Sequence, residues 1–114
     1  MDGSGKAACV VPEKINEMVR RIVERFHPDR IILFGSHARG TAGPDSDADL
    51  LVIMPVTGSR RKQATAIDLA LLGVDLPADV LVVSPEEVER NRDRLGTIIG
   101  PALREGKVLY ERDA

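Results

Sequence analysis

Two short apolar runs, Arg30–Phe34 and Ala48–Met54, carry their polar punctuation at opposite ends: Gly35-Ser36 follows the first, and Asp47-Ala48-Asp49 heads the second. Runs this short, rich in branched residues and bounded by Pro28-Asp29, Gly43-Pro44-Asp45 and Pro55, read as buried strands separated by a loop. Alternate side chains of a strand share a face, so Asp47 and Asp49 point the same way and could hold one or two hard cations between them. The glycine-serine turn, opening a short turn of helix at Ser36, could hold the phosphates those cations neutralise.

A third run, Asp79–Val83, again starts with an aspartate. If the turn, the aspartate pair and Asp79 form one site, the sheet is constrained. The turn lies past the end of the first strand, while the aspartates lie at the beginnings of the second and third. The first strand must then run antiparallel to the other two. A parallel second and third strand need a crossover of a dozen or more residues, right-handed, and Gly58–Leu72 supplies a helix with Ala64, Ile67, Leu71 and Ala70 inward and Gly73 at its end.

The remaining elements complete an α/β (α+β) fold, a small mixed sheet of about four strands flanked by helices. Ile15, Met18, Val19, Ile22 and Val23 repeat at helical spacing through Pro12–Phe26. Ser84-Pro85-Glu86-Glu87 has the cap, the first-turn proline and the acidic first turn of a helix start. That helix breaks near Arg92–Leu95, another runs from Ile98 to Gly106, and Val108–Tyr110 forms an edge strand. In this chain of 114 residues, residues 1–11 read as a flexible N-terminal tail and residues 12–114 as a single domain.

Composition narrows the function. No apolar run is long enough to span a membrane, and the first residues lack the apolar stretch of a secretory signal, so the expected location is the cytoplasm. The lone Cys9 reads as inert. A formal charge of −2 with dispersed basic residues argues against nucleic acid as a partner. The one compact basic cluster, Arg60-Arg61-Lys62, reads as a solvated helix face, with contact to a triphosphate or an acidic partner as its alternative.

Magnesium takes one or two carboxylates per ion and completes its shell with water and phosphate, so three aspartates suit a two-ion site. One ion lowers the pKa of an attacking hydroxyl and the other stabilises the leaving oxygens, a chemistry of attack on a nucleotide phosphorus. Gly35 allows close backbone approach, Ser36 offers a hydroxyl and N–H groups, and Arg39 could pair with phosphate oxygens. His37 could touch phosphate or act as a base, although a metal-activated nucleophile needs no histidine. Asp45, in the loop, reads as solvent-facing or as support for the pair from behind. Asp68 and Asp75 compete for the third carboxylate, but only Asp79 directly precedes an apolar strand.

Gly35-Ser36-x-Ala38-Arg39-Gly40, Asp47-x-Asp49 and a later strand aspartate together resemble the nucleotidyltransferase superfamily related to DNA polymerase beta, in particular its minimal nucleotidyltransferases, over roughly residues 12–110. The resemblance implies ATP as donor, magnesium as cofactor, Gly35 and Ser36 as nucleotide-binding residues, and Asp47, Asp49 and Asp79 as catalytic metal carboxylates. It also implies transfer of AMP with release of pyrophosphate. Many similar proteins act as the antitoxin of a helical HEPN-type partner, some by adenylylating its tyrosine. Alternatives are an antitoxin that neutralises by binding alone, and a small-molecule, antibiotic-modifying transferase.

Leu51 and Ile53 share a face with the aspartate pair, and Leu81 and Val83 with Asp79, so both sheet faces are apolar beyond the site. Their cover is either the chain's own last helix or a partner protein or second copy of the chain.

Overall fold

The computed structural model describes residues 13–41, 46–91 and 99–112. The tail, Cys9, Pro12, the Gly43–Asp45 loop, the expected helix break at Arg92–Leu95 and Ile98 lie outside them. The elements in chain order are α1 (Glu13–Phe26), β1 (Arg30–Phe34), α2 (Ser36–Arg39), β2 (Ala48–Ile53), α3 (Arg60–Ala70), β3 (Ala78–Val83), α4 (Pro85–Asn91), α5 (Ile99–Glu105) and β4 (Lys107–Glu111).

The strands form one mixed sheet in the order β3-β2-β1-β4. β1 runs antiparallel to β2 and to β4, and β2 runs parallel to β3 through the α3 crossover, as the placement of the aspartates requires. Boundaries differ from expectation by a residue or two. The crossover helix starts at Arg60 because Ser59, in an extended conformation, caps it by accepting the Lys62 N–H at 3.2 Å. β2 ends one residue early, before Pro55, and β3 begins one early, at Ala78.

Two cores flank the sheet. On one face Ile15, Met18 and Ile22 of α1 and Ile67 of α3 pack on Ile31, Leu33, Leu50 and Val52. On the other, Val88 of α4 with Ile99 and Ala102 of α5 cover Ile32, Leu51, Ile53 and Val83. The chain's own last helices therefore supply the cover for the site-bearing face. α5 closes on β1 through Gly106, where any Cβ would overlap Ala102 O and stand 2.6 Å from Ile32 Cγ2.

The start of α4 is a reciprocal capping box. Ser84 Oγ accepts the Glu87 N–H at 3.1 Å, and Glu87 Oε1 accepts the Ser84 N–H at 2.9 Å. Arg60 Nη2 donates to Glu87 Oε2 at 2.7 Å, tying α4 to the start of α3. The Ser84 N–H, then Arg60, hold the Glu87 carboxyl below the usual glutamate range against the opposing effect of burial. A carboxyl lowered on folding stabilises above its unfolded pKa, and that contribution is lost as pH falls through the folded value. Glu87→Gln keeps the box and removes the charge, so it is expected to cost at most about 1 kcal/mol at pH 7, with the difference from wild type in urea melts vanishing in strong acid.

Candidate active site

β1 delivers its carboxyl end, and β2 and β3 their amino ends, to the same edge of the sheet. Phe34 pairs across with Asp49, and Asp49 lies in register with Asp79. Asp79 thus stands one strand over from Asp49 and on the same face, with Asp47 in the residue just before β2. Asp47 and Asp79 are exposed and Asp49 is half-buried.

Asp49 is the centre of this arrangement. Burial, followed by the charges of Asp79 and Asp47, pushes its carboxyl above the usual range, while His37 and Arg39 pull it down. Within the described residues, none of the three carboxylates has a hydrogen-bond or ion-pair partner. Three mutually repelling, unpartnered carboxylates are hard oxygen donors whose charge favours a hard cation. Among the described residues no three acidic, histidine or cysteine side chains converge tightly enough to enclose one ion.

Gly35 lies against this centre. Its backbone, at φ 76° and ψ −154°, is in a region essentially reserved for glycine. A Cβ there would overlap Asp49 Oδ2 and stand 3.2 Å from Cγ. The turn then enters α2, where Ala38 and Arg39 N–H groups donate to Gly35 O at 3.1 Å. The Ser36 and His37 N–H groups have no acceptor among the described residues, and α2 has no side-chain cap, so both can donate to an anion beside the carboxylates. Arg39, exposed at the end of α2, is near enough to act on Asp49 electrostatically.

His37 has a role that sequence reasoning missed. Its Nε2 lies 3.0 Å from Ser46 O, and because a carbonyl only accepts, Nε2 must carry the proton. The ring bridges the turn to the backbone just before Asp47. Nothing in the spacing announces a side chain to backbone bond across a loop.

The competing aspartates are separated by the fold. Asp75 pairs with Lys14 at 3.3 Å on the surface. Asp68 lies on α3, its carboxyl raised by burial and then by the charge of Asp79, so it borders the site from the helix side. Arg60–Lys62 begin α3 after the carboxyl end of β2, at the edge opposite the aspartates, and Arg60 is committed to Glu87.

The cost of gathering these carboxylates is measurable. Asp49's raised pKa means that its ionised form destabilises the fold above the folded pKa, a cost that fades as pH falls below the unfolded value. Asp49→Asn is expected to raise the melting temperature without divalent ions at pH 8, by on the order of a few degrees, since ~1 kcal/mol moves a domain of this size by about 4–8 °C. The gain should shrink toward pH 4.

Among the described residues, no helix is long and apolar enough to cross a membrane. Residues 13–93 match the family model described as a nucleotidyltransferase domain. A curated relative from Methanocaldococcus jannaschii, named "Putative protein adenylyltransferase MJ1305", is 32% identical over 108 residues, covering 87% of this chain and 71% of its own. Among solved structures, one from Sulfolobus solfataricus, named with the same qualifier as a nucleotidyltransferase, aligns with TM-score 0.61 at 18% identity over 88% of this chain and 79% of its own. The toxin-antitoxin MntA-HpeT aligns at 0.56 and 21% identity, covering 86% and 73%. A toxin-antitoxin structure with AMP-PNP aligns at 0.52 and 24%, covering 89% and 73%.

Proposed function

Because this chain belongs to the nucleotidyltransferase domain family, we propose that it transfers AMP from ATP to a hydroxyl of a partner protein, a tyrosine of a helical HEPN-type toxin being the acceptor the reading favours. The observation that carries it is the register of three strands, which brings Gly35, Asp49 and Asp79 side by side at one sheet edge. A relative named as a protein adenylyltransferase supports a protein acceptor. The fold shared with toxin-antitoxin structures, one of them holding AMP-PNP, supports a partner and an ATP-like donor.

Asp47, Asp49 and Asp79 would hold magnesium, which when bound lowers the pKa of the acceptor hydroxyl and neutralises phosphate charge. Ser36 and the N–H groups of Ser36 and His37 bind the outer phosphates, and Arg39 pairs with their oxygens. Gly35 lets the triphosphate approach the backbone, and His37 holds the turn against the start of β2. The acceptor oxygen attacks the α-phosphorus in line. The new O–P bond forms as the bond to the β-phosphate oxygen breaks, pyrophosphate leaves with that electron pair, and the hydroxyl proton passes to water.

The test is incubation of the protein with α-labelled ATP, magnesium and the product of the adjacent gene. Label in a tyrosine of that product, absent with Asp47→Asn, is the expected result. No label with either protein overturns the enzymatic reading.

A further inference from the structure

β3 is an edge strand, and its free side is open beside the site. Ala48 N–H donates to Pro77 O and Met54 N–H to Val83 O, both at 2.9 Å. Bonding in a parallel ladder alternates along the strand, so these two bonds fix its phase: Asp79, Leu81 and Val83 bond toward β2, while Ala78, Val80 and Val82 turn their N–H and C=O groups outward. Among the described residues nothing takes the outward groups of Ala78 and Val80, and both are partly exposed. Val82 is 1% exposed, so the open stretch is the half nearest the carboxylates.

Edge strands are commonly blunted by lysine, proline or flanking charge. β4, at the other edge, reads Lys-Val-Leu-Tyr-Glu and is charged at both ends. β3 carries no charge but Asp79 itself. At its head a groove of about 440 Å³ opens between Leu72, Leu76, Pro77 and Ala78, rimmed by Asp68 and Asp75. Leu72, at 69% exposure, stands beside it.

We propose that the acceptor protein docks here by strand addition, pairing an extended segment with the outward groups of Ala78 and Val80 so that its hydroxyl residue falls in register with Asp79. The inference rests on the transferase reading above. Neighbouring strands lie about 4.8 Å apart with in-register side chains on one face, so a tyrosine beside Asp79 points toward the α-phosphate site. Main-chain pairing supplies affinity, the groove takes an apolar side chain, and Asp68 and Asp75 on its rim favour basic flanking residues. The segment is thus extended, hydroxyl-bearing, and both apolar and basic at its ends.

Val80→Pro tests this, because proline there removes only an outward N–H and leaves the bonds to β2 intact. The probes are a synthetic peptide, Arg-Val-Thr-Val-Tyr-Val-Thr-Arg, the same peptide N-methylated at alternate amides, and tyrosine amide, each with α-labelled ATP and magnesium. Wild type is expected to label the plain peptide at least about tenfold more efficiently than the methylated one, the worth of one or two hydrogen bonds. Val80→Pro should erase that preference while labelling tyrosine amide as wild type does. Equal labelling of the two peptides by wild type overturns strand addition, and this arm stands even if Val80→Pro fails to fold. Wild type sedimenting as a dimer and Val80→Pro as a monomer assigns the edge to a second copy and also overturns it. No label in any probe, tyrosine amide included, overturns the transferase reading and the docking with it.

Discussion

Asp49→Asn is expected to lower AMP transfer by at least about a thousandfold, with the loss in kcat rather than in KM for the acceptor. Groups that merely orient a metal ligand are worth about 10–100-fold, and under the proposed function Asp49 itself holds the ion, so its loss should cost more. Asp49 lies between its two acidic neighbours: in register with Asp79, two residues after Asp47, which immediately precedes β2, and raised in pKa by the charge of both. The amide keeps the shape and removes the charge, so folding should survive and even improve. Measured by initial rates of label transfer, activity that persists alongside unchanged stability would remove Asp49 from the metal site.

Gly35→Ala should damage both fold and activity. The backbone at φ 76° and ψ −154° costs about 1–3 kcal/mol for a residue with a Cβ. The new methyl would also collide with Asp49 Oδ2. A carboxylate tip can rotate away, which limits the loss of stability but turns a proposed metal ligand out of the site. Misplacement by about 1 Å costs on the order of a hundredfold in rate. A melting temperature lower by several degrees, together with a rate loss larger than the unfolded fraction explains, is the expected pair of results. A variant as active as wild type would mean that Gly35 does not border the reacting centre.

The strand directions were legible in the chain because chemistry and topology constrain one another. A turn after β1 can meet aspartates before β2 and β3 only if β1 opposes them, and the register pairs Phe34 with Asp49 and Asp49 with Asp79. The α4 cap was legible because Ser84 and Glu87 are three residues apart and the box is local. What was not legible depends on contacts between distant segments. Whether the site-bearing face was covered from within depended on where α4 and α5 pack, and Val88, Ile99 and Ala102 supply that cover. The His37 bond to Ser46 O, and the closeness of Asp49 that leaves no room for a Cβ at Gly35, arise only once β1 and β2 are side by side.

The central claim is that the Gly35 turn and the three aspartates make one site for a nucleotide and its metal. Calorimetric titration of AMP-PNP, with and without magnesium, into wild type and an Asp47→Asn/Asp49→Asn double variant tests it most directly. The account predicts binding to wild type that requires magnesium and is lost in the double variant. Binding indifferent both to magnesium and to the substitutions, or none to wild type with magnesium present, would contradict it.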